Sequence, residues 1–336
     1  MNPTRNAATA ATVQSSDEPE QLWLFEGGVD LSILRRERAA LALRTRANNT
    51  ARAYASDWRD FAAWCELAGR RALPATSDSL QLYLVHLARL GRLPATLERR
   101  VSAIGAQHAA AGARSPVDVD VREVLCGMRR KLGAAPRHAK AAVTIPQLKL
   151  MLRATPRDAV GARDRALLLV GFASGVRRSE LTAWDLADVR FEERGAVLRV
   201  AKGKTDQVGI GSWVGVHKGQ HSETCPVRAL KSWIVERGPW AGALFCSVDC
   251  FGAIRRAPMA DKSVAAVVKG AAVAAGLDAA LYAAHSLRAG LVTAAGGAGV
   301  GTLAIMARTG HRDVKVLLRY MRPASALAVD PLAGLL

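Results

Sequence analysis

Apolar side chains in the first half of the chain recur at the three- and four-residue intervals of an amphipathic helix. Tyr54, Trp58, Phe61 and Cys65 follow this spacing, and Thr50 is placed to cap the helix that they predict. The same spacing, with a glycine at the expected C-terminus each time, predicts three further helices at residues 79–90, 96–111 and 119–132. Because no pattern typical of a strand accompanies them, this region is predicted to be a small all-α domain.

A second domain is predicted beyond a change of composition. Residues 133–143, GAAPRHAKAAV, are basic, contain one proline and lack apolar periodicity, which is typical of a linker. Further on, Val197, Arg199 and the residues near Lys204 predict a short hairpin or a small sheet. Helical spacing returns at residues 145–154, 158–173, 226–236, 261–275, 286–298 and 302–308. The predicted fold is therefore mainly α, with a small β-sheet in the second domain.

These patterns divide the chain into four parts. Residues 1–44 are rich in alanine, threonine, serine and acidic residues, and we expect a mostly disordered arm. The helical domain then spans residues 45–135, the basic linker residues 136–144 and the second domain residues 145–336. The N-terminus lacks the apolar stretch of a signal peptide, and no apolar run approaches the roughly 20 residues that span a bilayer. The sequence therefore predicts a cytoplasmic protein without a membrane anchor.

The charge of the chain narrows the class of partner. Among 336 residues, 47 are lysine or arginine and 29 are aspartate or glutamate, so the formal net charge is +18. A surplus of this size favours a polyanion, because each neutralised phosphate releases counterions. Nucleic acid is the first candidate and an anionic membrane surface the second. Aromatic residues make up only 5% of the chain, which disfavours a single-strand stacking platform and favours duplex DNA.

The five cysteines point to neither disulfides nor a metal site. Their number is odd, and the chain shows no export signal, so we expect free thiols. Cys246 and Cys250 are spaced C-x3-C, but no second Cys/His pair nearby completes a zinc site. No Walker-type loop and no carboxylate cluster for two magnesium ions is present either. The sequence predicts no cofactor and no metal.

Six polar positions of the second domain form an ordered series. They are Arg177 in SGVRRSEL, Lys204 in KGKTDQ, His285 and Arg288 in HSLRAG, His311 in TGHRD, and Tyr320, nine residues after His311. Each position alone has an ordinary structural explanation. Arg177 and Glu180 have the spacing of an i,i+3 helix pair, Lys204 suits a solvated turn, and the histidines suit caps or core positions. Only the joint order and spacing of the six residues favours a catalytic role.

This series resembles the motif of the tyrosine recombinase, or phage integrase, family. That motif runs from Arg in Gly-x-Arg-x-x-Glu-Leu through Lys in a β-turn, His-x-x-Arg and Gly-His to Tyr nine positions on, and all six residues above match it. The resemblance covers residues 49–326; Arg178 beside Arg177 is a weaker alternative at the first position. It implies a two-domain, C-shaped clamp on duplex DNA and a site-specific recombinase or integrase, such as a mobile element carries, that works without metal or ATP.

The resemblance also implies a role for each residue. Tyr320 is the nucleophile that forms a 3′-phosphotyrosine, and Lys204 protonates the departing 5′-oxygen. Arg177 and Arg288 hold the non-bridging oxygens, because guanidinium is always protonated and binds them through a two-pronged fork. His311 adds a hydrogen bond to the phosphate, and His285 accepts the proton of the phenol.

The implied partners are duplex DNA and further copies of the chain. We expect a homo-tetramer on two paired DNA sites and a monomer or dimer off DNA. The apolar tail, residues 322–336, packs either on its own domain or on a neighbouring subunit. Two alternatives stay open: a relaxing enzyme like the type IB topoisomerases, and a catalytically silent DNA-binding protein. The predicted phosphate contacts are Arg99, Arg100, Arg129, Arg130, Lys131 and Lys140.

Overall fold

A computed structural model describes residue 34 and residues 48–133, 140–201, 211–249 and 251–318 of the chain. The chain divides into two units, Met1–Pro136 and Arg137–Leu336, and the division falls within the predicted linker. The predicted fold class is confirmed, because the described residues are mostly helical and the strands form two small sheets. Within these ranges, no helix has both the length and the apolar composition needed to cross a bilayer.

The described part of the first unit contains four helices, which pack around one apolar cluster. The largest members of this cluster include Phe61, Tyr83 and Ile104, each at most 1% exposed. Thr50 does not cap the first helix, because that helix already begins two residues earlier, whereas the three glycines predicted to end helices all have positive φ. The helices are α1 (Asn48–Leu67), α2 (Ser77–Arg89), α3 (Pro94–Ala110) and α4 (Val119–Leu132).

The second unit is organised around one helix that is buried on nearly all sides. Five consecutive residues, from Ala166 to Val170, are at most 4% exposed, because helices pack against this one from several directions. Asp158 caps it by accepting a hydrogen bond from the Gly161 amide at 2.8 Å. The helices of this unit are α5 (Ile145–Ala154), α6 (Ala159–Ser174), α7 (Arg178–Leu181), α8 (Pro226–Arg237), α9 (Ser263–Ala274), α10 (His285–Gly297), α11 (Thr302–Thr309) and α12 (Val314–Leu318). The buried central helix, which Asp158 caps, is α6.

Two antiparallel sheets complete the second unit. The first has the strand order β1 (Val189–Glu192), β2 (Gly195–Val200) and β3 (Ser212–His217), and β2 contains the predicted strand residues Val197 and Arg199. Lys204 lies outside the described residues. The second sheet pairs β4 (Cys246–Val248) with β5 (Ile254–Pro258), and the sequence pattern did not predict it.

The end of the predicted linker is part of the second unit. Val143 is fully buried, and its backbone amide donates to the Ser286 carbonyl at 3.0 Å. The amide of Ala141 donates to the Leu281 carbonyl at 2.8 Å. These bonds tie the segment to α10 and to the turn before it, so the sequence pattern placed too many residues in the linker.

Candidate active site

Three separate segments bring four of the six predicted catalytic residues together. Arg177 follows the turn at the end of α6, His285 and Arg288 lie in the first turn of α10, and His311 follows α11. Arg288 Nη2 lies 3.3 Å from His311 Nε2. The positive charges of Arg288 and Arg177 act on both histidines. Tyr320 and Lys204 lie outside the described residues.

A glycine turn places Arg177 at this point. Gly175 ends α6 in the left-handed region, with φ +64°, and a Cβ added there would lie 2.4 Å from Leu291 Cδ2. Only glycine therefore combines this backbone conformation with this close packing. The chain leaves the helix, and Arg177 becomes the residue that precedes the short helix α7.

Glu180 holds Arg177 in a single orientation. The Arg177 amide donates to Glu180 Oε2 at 2.8 Å, and Arg177 Nη1 donates to Glu180 Oε1 at 2.6 Å. Glu180 is only 7% exposed, so this bond is well shielded from water. The i,i+3 pair suggested by the spacing is therefore present, and it occupies one edge of the guanidinium. Arg178, the alternative at this position, pairs instead with Asp261 at 3.2 Å.

Arg288 joins α10 to the turn before Arg177. Arg288 is only 3% exposed, and its Nη1 donates to the Gly175 carbonyl at 2.7 Å. Its other nitrogen, Nη2, is directed at the ring of His311. One buried cation thus fixes the positions of two of the segments that form the cluster.

The ring of His311 lies between the Thr309 hydroxyl and the guanidinium of Arg288. The Thr309 hydroxyl donates to the Ile305 carbonyl at 2.7 Å, and a hydroxyl has only one hydrogen. His311 Nδ1 lies 2.6 Å from the same Thr309 oxygen. Arg288 Nη2 lies 3.3 Å from Nε2 and 3.4 Å from Nδ1 of the same ring.

The pKa values of both histidines are lowered. Burial, followed by the charges of Arg288 and Arg177, lowers the pKa of His311 to about 4. Desolvation of the ring, followed by the same two charges, also lowers the pKa of His285. Part of the His285 side chain stays accessible to solvent. Both rings are therefore neutral near pH 7 in the free protein.

We expect the protein to lose stability as the pH falls from about 6.5 towards 4, because unfolded histidine binds a proton that folded His311 does not. A His311→Gln protein lacks this contribution. The excess stability of the parent over the variant should therefore be larger at pH 7 than at pH 4.5. Urea unfolding at the two pH values measures both differences. A difference that is the same at the two pH values would contradict the lowered pKa of His311.

Arg308 on α11 was missed by the sequence analysis. It is half-buried, and its Nη2 donates to the Ala173 carbonyl near the end of α6 at 3.1 Å. Burial lowers the pKa of its guanidinium. With Arg177, Ser212 and Trp213 it lines a cavity of about 390 Å³. The signal in the sequence was a cation three residues before His311, at the end of the predicted helix.

The predicted phosphate contacts differ in how far they are engaged within the protein. Arg100 is only 11% exposed and binds Asp60 and Tyr83. The other two arginines that pair with acids are Arg99, 3.0 Å from Asp57, and Arg129, 2.6 Å from Glu98. Lys140 donates to the Ala280 carbonyl at 2.6 Å. Arg130 and Lys131 are exposed at the end of α4.

Comparison with known proteins relates the chain to one family. Residues 142–326 match the sequence model described as "Phage integrase family". The "Integrase/recombinase xerD homolog" of Selenomonas ruminantium is 36% identical over 283 residues, which cover 83% of this chain and 82% of that protein.

Solved structures show the same fold. The structure of the Tn1549 transposon integrase in complex with transposon right end DNA has a TM-score of 0.59 and 19% identity. The match covers 86% of this chain and 95% of the transposon integrase chain. A lambda integrase dimer bound to a COC′ core site has a TM-score of 0.58 and 17% identity, over 89% of this chain and 80% of its own.

Proposed function

Since the chain belongs to the phage integrase family and is a site-specific tyrosine recombinase, we propose that Tyr320 cleaves duplex DNA and that the Arg177–His285–Arg288–His311 cluster holds the scissile phosphate. The observation that carries this proposal is the convergence of two guanidinium groups and two imidazole rings from three segments. A phosphodiester under attack gains negative charge on its two non-bridging oxygens, and fixed cations stabilise that charge.

The proposed reaction exchanges one phosphodiester for another. The Tyr320 oxygen attacks phosphorus, the bond to the 5′-oxygen breaks, and a 3′-phosphotyrosine forms. Because this ester keeps the energy of the broken bond, a free 5′-hydroxyl can reverse the step and reseal a strand. An unperturbed phenol has a pKa of about 10 and is a weak nucleophile, so it needs a base and nearby cations. His285, neutral because its pKa is lowered, suits the role of that base.

The protonation of His311 gives it a specific role in this scheme. In the free protein we assign the proton to Nδ1, as donor to Thr309, because the Thr309 hydroxyl is directed at the Ile305 carbonyl, and Nε2 is then the acceptor. A phosphate between His311 and Arg288 adds negative charge, which raises the pKa of the ring. His311 then takes up a proton and donates from Nε2 to the phosphate. Arg288, relieved of its contact with the ring, directs Nη2 to the same group.

We expect Lys204→Ala to cleave ordinary DNA poorly but to cleave DNA with a bridging 5′-sulfur nearly as well as the parent does. Lys204 is assigned the protonation of the leaving 5′-oxygen, and sulfur leaves as a thiolate that needs little protonation. Cleavage rates of the two substrates, each divided by the parent's rate, give the comparison. The exposed Lys218 supplies a control, Lys218→Ala, that removes the same charge from the loop after β3. Equal defects on both substrates would instead assign Lys204 to phosphate binding.

We propose that four copies act on two paired DNA sites and that the exposed Arg130 and Lys131 contact backbone phosphates. A plasmid that carries two copies of a site, taken from inverted repeats around a short spacer in the DNA flanking the gene, tests the assembly. A recombinase produces rearranged plasmids. Relaxation of supercoils without rearrangement would favour the topoisomerase alternative, and binding without either product would favour a silent DNA-binding protein. The C-terminal tail, residues 322–336, lies outside the described residues.

A further inference from the structure

A second group of cations lies in the catalytic unit, away from the candidate active site. Lys149 and Arg153 extend from α5, Arg157 lies in the turn before α6, and Arg165 lies in the first half of α6. Together with residues 220–224 they line a cavity of about 900 Å³, which we call the basic cleft. Nine residues separate Arg165 from the end of α6, a rise of about 14 Å along the helix. The basic cleft shares no lining residue with the cavity beside Arg177.

The charges of the basic cleft are not neutralised within the described part of the chain. There, none of its four cations lies within 4 Å of a carboxylate, and Glu223 is the one acidic residue of the lining. Arg99, Arg129 and Arg199, by contrast, each pair with an acid at 3.2 Å or less. Cations that share a concave surface repel one another, and an anion that binds between them removes this repulsion.

One of the four cations, Arg165, is held in place by a hydrogen bond to a buried threonine. Arg165 is half-buried, and its Nη2 donates to Thr155 Oγ1 at 2.8 Å. The Thr155 hydroxyl in turn donates to the Leu152 carbonyl at 2.7 Å, and Thr155 itself is buried. The guanidinium is therefore oriented before any ligand arrives, which lowers the entropy cost of binding. A guanidinium fork matches two oxygens of a phosphate.

The remaining wall of the basic cleft indicates the chemical class of ligand. Leu152 contributes the main apolar surface, the lining has no phenylalanine, tyrosine or tryptophan, and Ser222 and Thr224 add hydroxyl groups. Apart from the His221 ring and the guanidinium planes, such a wall has no flat surface on which a base could stack, but it offers donors to several adjacent phosphates. A nucleic-acid backbone, contacted without its bases, fits these features better than a nucleotide that must be recognised by its base.

From these features we infer that the basic cleft is a second phosphate-binding site, which takes consecutive phosphates of a DNA segment outside the one that is cleaved. This inference rests on the proposed function only in that DNA is the substrate. Binding there would add contacts on long DNA that a short duplex around the cleavage point does not reach. It would strengthen association without taking part in strand cleavage.

The test compares Lys149→Ala/Arg153→Ala/Arg157→Ala with Arg194→Ala/Lys218→Ala/Lys231→Ala, a control that removes the same charge from exposed positions elsewhere in the unit. Both triples are made in the Tyr320→Phe background, so that binding is measured without cleavage. Affinities for duplexes of about 20 and about 80 base pairs are measured at several salt concentrations. Because each phosphate contact contributes about 0.9 to the salt slope, the cleft triple should lower the slope on long DNA by about 2 to 3. The affinity of the cleft triple for long DNA should fall roughly tenfold or more near 0.15 M salt, whereas its affinity for short DNA should stay close to that of the control.

Three results would overturn the inference. Equal affinities and equal salt slopes of the two triples on long DNA would show that the basic cleft does not bind DNA. An equal loss on short and long DNA assigns the cations to the cleaved segment. Thermal stabilisation of the parent by inorganic tripolyphosphate that the cleft triple loses, without any change on long DNA, identifies a free polyphosphate as the ligand. Cleavage of a short nicked duplex by the cleft triple with Tyr320 intact is measured separately, so that a failure of the proposed function shows up there and not in the binding data.

Discussion

Tyr320→Phe protein is expected to bind duplex DNA as tightly as the parent and to form no covalent complex with it. The substitution removes one hydroxyl and leaves the aromatic ring and all the basic residues unchanged. Without the phenolic oxygen, no bond to phosphorus can form. The measurement is trapping on a nicked suicide duplex, from which the cleaved strand cannot be rejoined, followed by denaturing electrophoresis.

A matched control for this experiment is Tyr282→Phe. Tyr282 belongs to the same unit and is 3% exposed, and its substitution removes the same group. The control should trap DNA as the parent does. A covalent complex with Tyr320→Phe, or its loss with Tyr282→Phe alone, would show that the nucleophile is a different residue.

Arg177→Ala is expected to slow cleavage by roughly 100- to 1,000-fold, as the loss of one oxyanion-stabilising donor does in other enzymes. Affinity for the uncleaved duplex should fall far less, because many other cations hold the backbone. The control is Arg178→Ala, which removes the same charge one residue away, from a side chain that is 51% exposed and paired with Asp261. Single-turnover cleavage rates and gel-shift affinities of both variants separate the two effects.

Arg288→Ala should show the same loss of rate together with a loss of stability. The substitution leaves the Gly175 carbonyl without its buried donor, and an unsatisfied buried group costs about 1–3 kcal/mol. Urea unfolding distinguishes the two contributions, since a rate deficit that persists in fully folded protein belongs to the chemistry. If cleavage by either variant declined only in step with DNA affinity, the two arginines would be binding residues without a role in the transition state.

The helices of the second unit could be predicted because their signals are local. Residues 145–154 are helical as predicted, and Thr144 and Gln147 form a capping box at the first turn. Residues 158–173 were predicted for α6, which differs by one residue at each end. Apolar spacing and a cap residue act within a few positions of one another, so a single sequence records them.

The failures have physical causes of their own. The hairpin of β4 and β5 was missed because β5 is almost entirely exposed, and an exposed strand shows no alternation of apolar and polar positions. Thr50 was taken as a cap, although the helix had begun at Asn48. Val143 stood in a stretch without periodicity, but the packing of the unit buries it completely.

By itself, the sequence determined the family and proposed six catalytic residues, because the order and spacing of polar residues can be recognised without any knowledge of contacts. It also determined a mainly helical fold, since periodicity and capping are local. The tertiary structure alone decided that Arg288 reaches the Gly175 carbonyl 113 residues earlier, that Arg308 reaches Ala173 135 residues earlier, and that Arg100 is engaged by Asp60. Such contacts depend on how α10 and α11 pack on α6 and how α3 packs on α1, and packing between distant segments leaves no local pattern in the sequence.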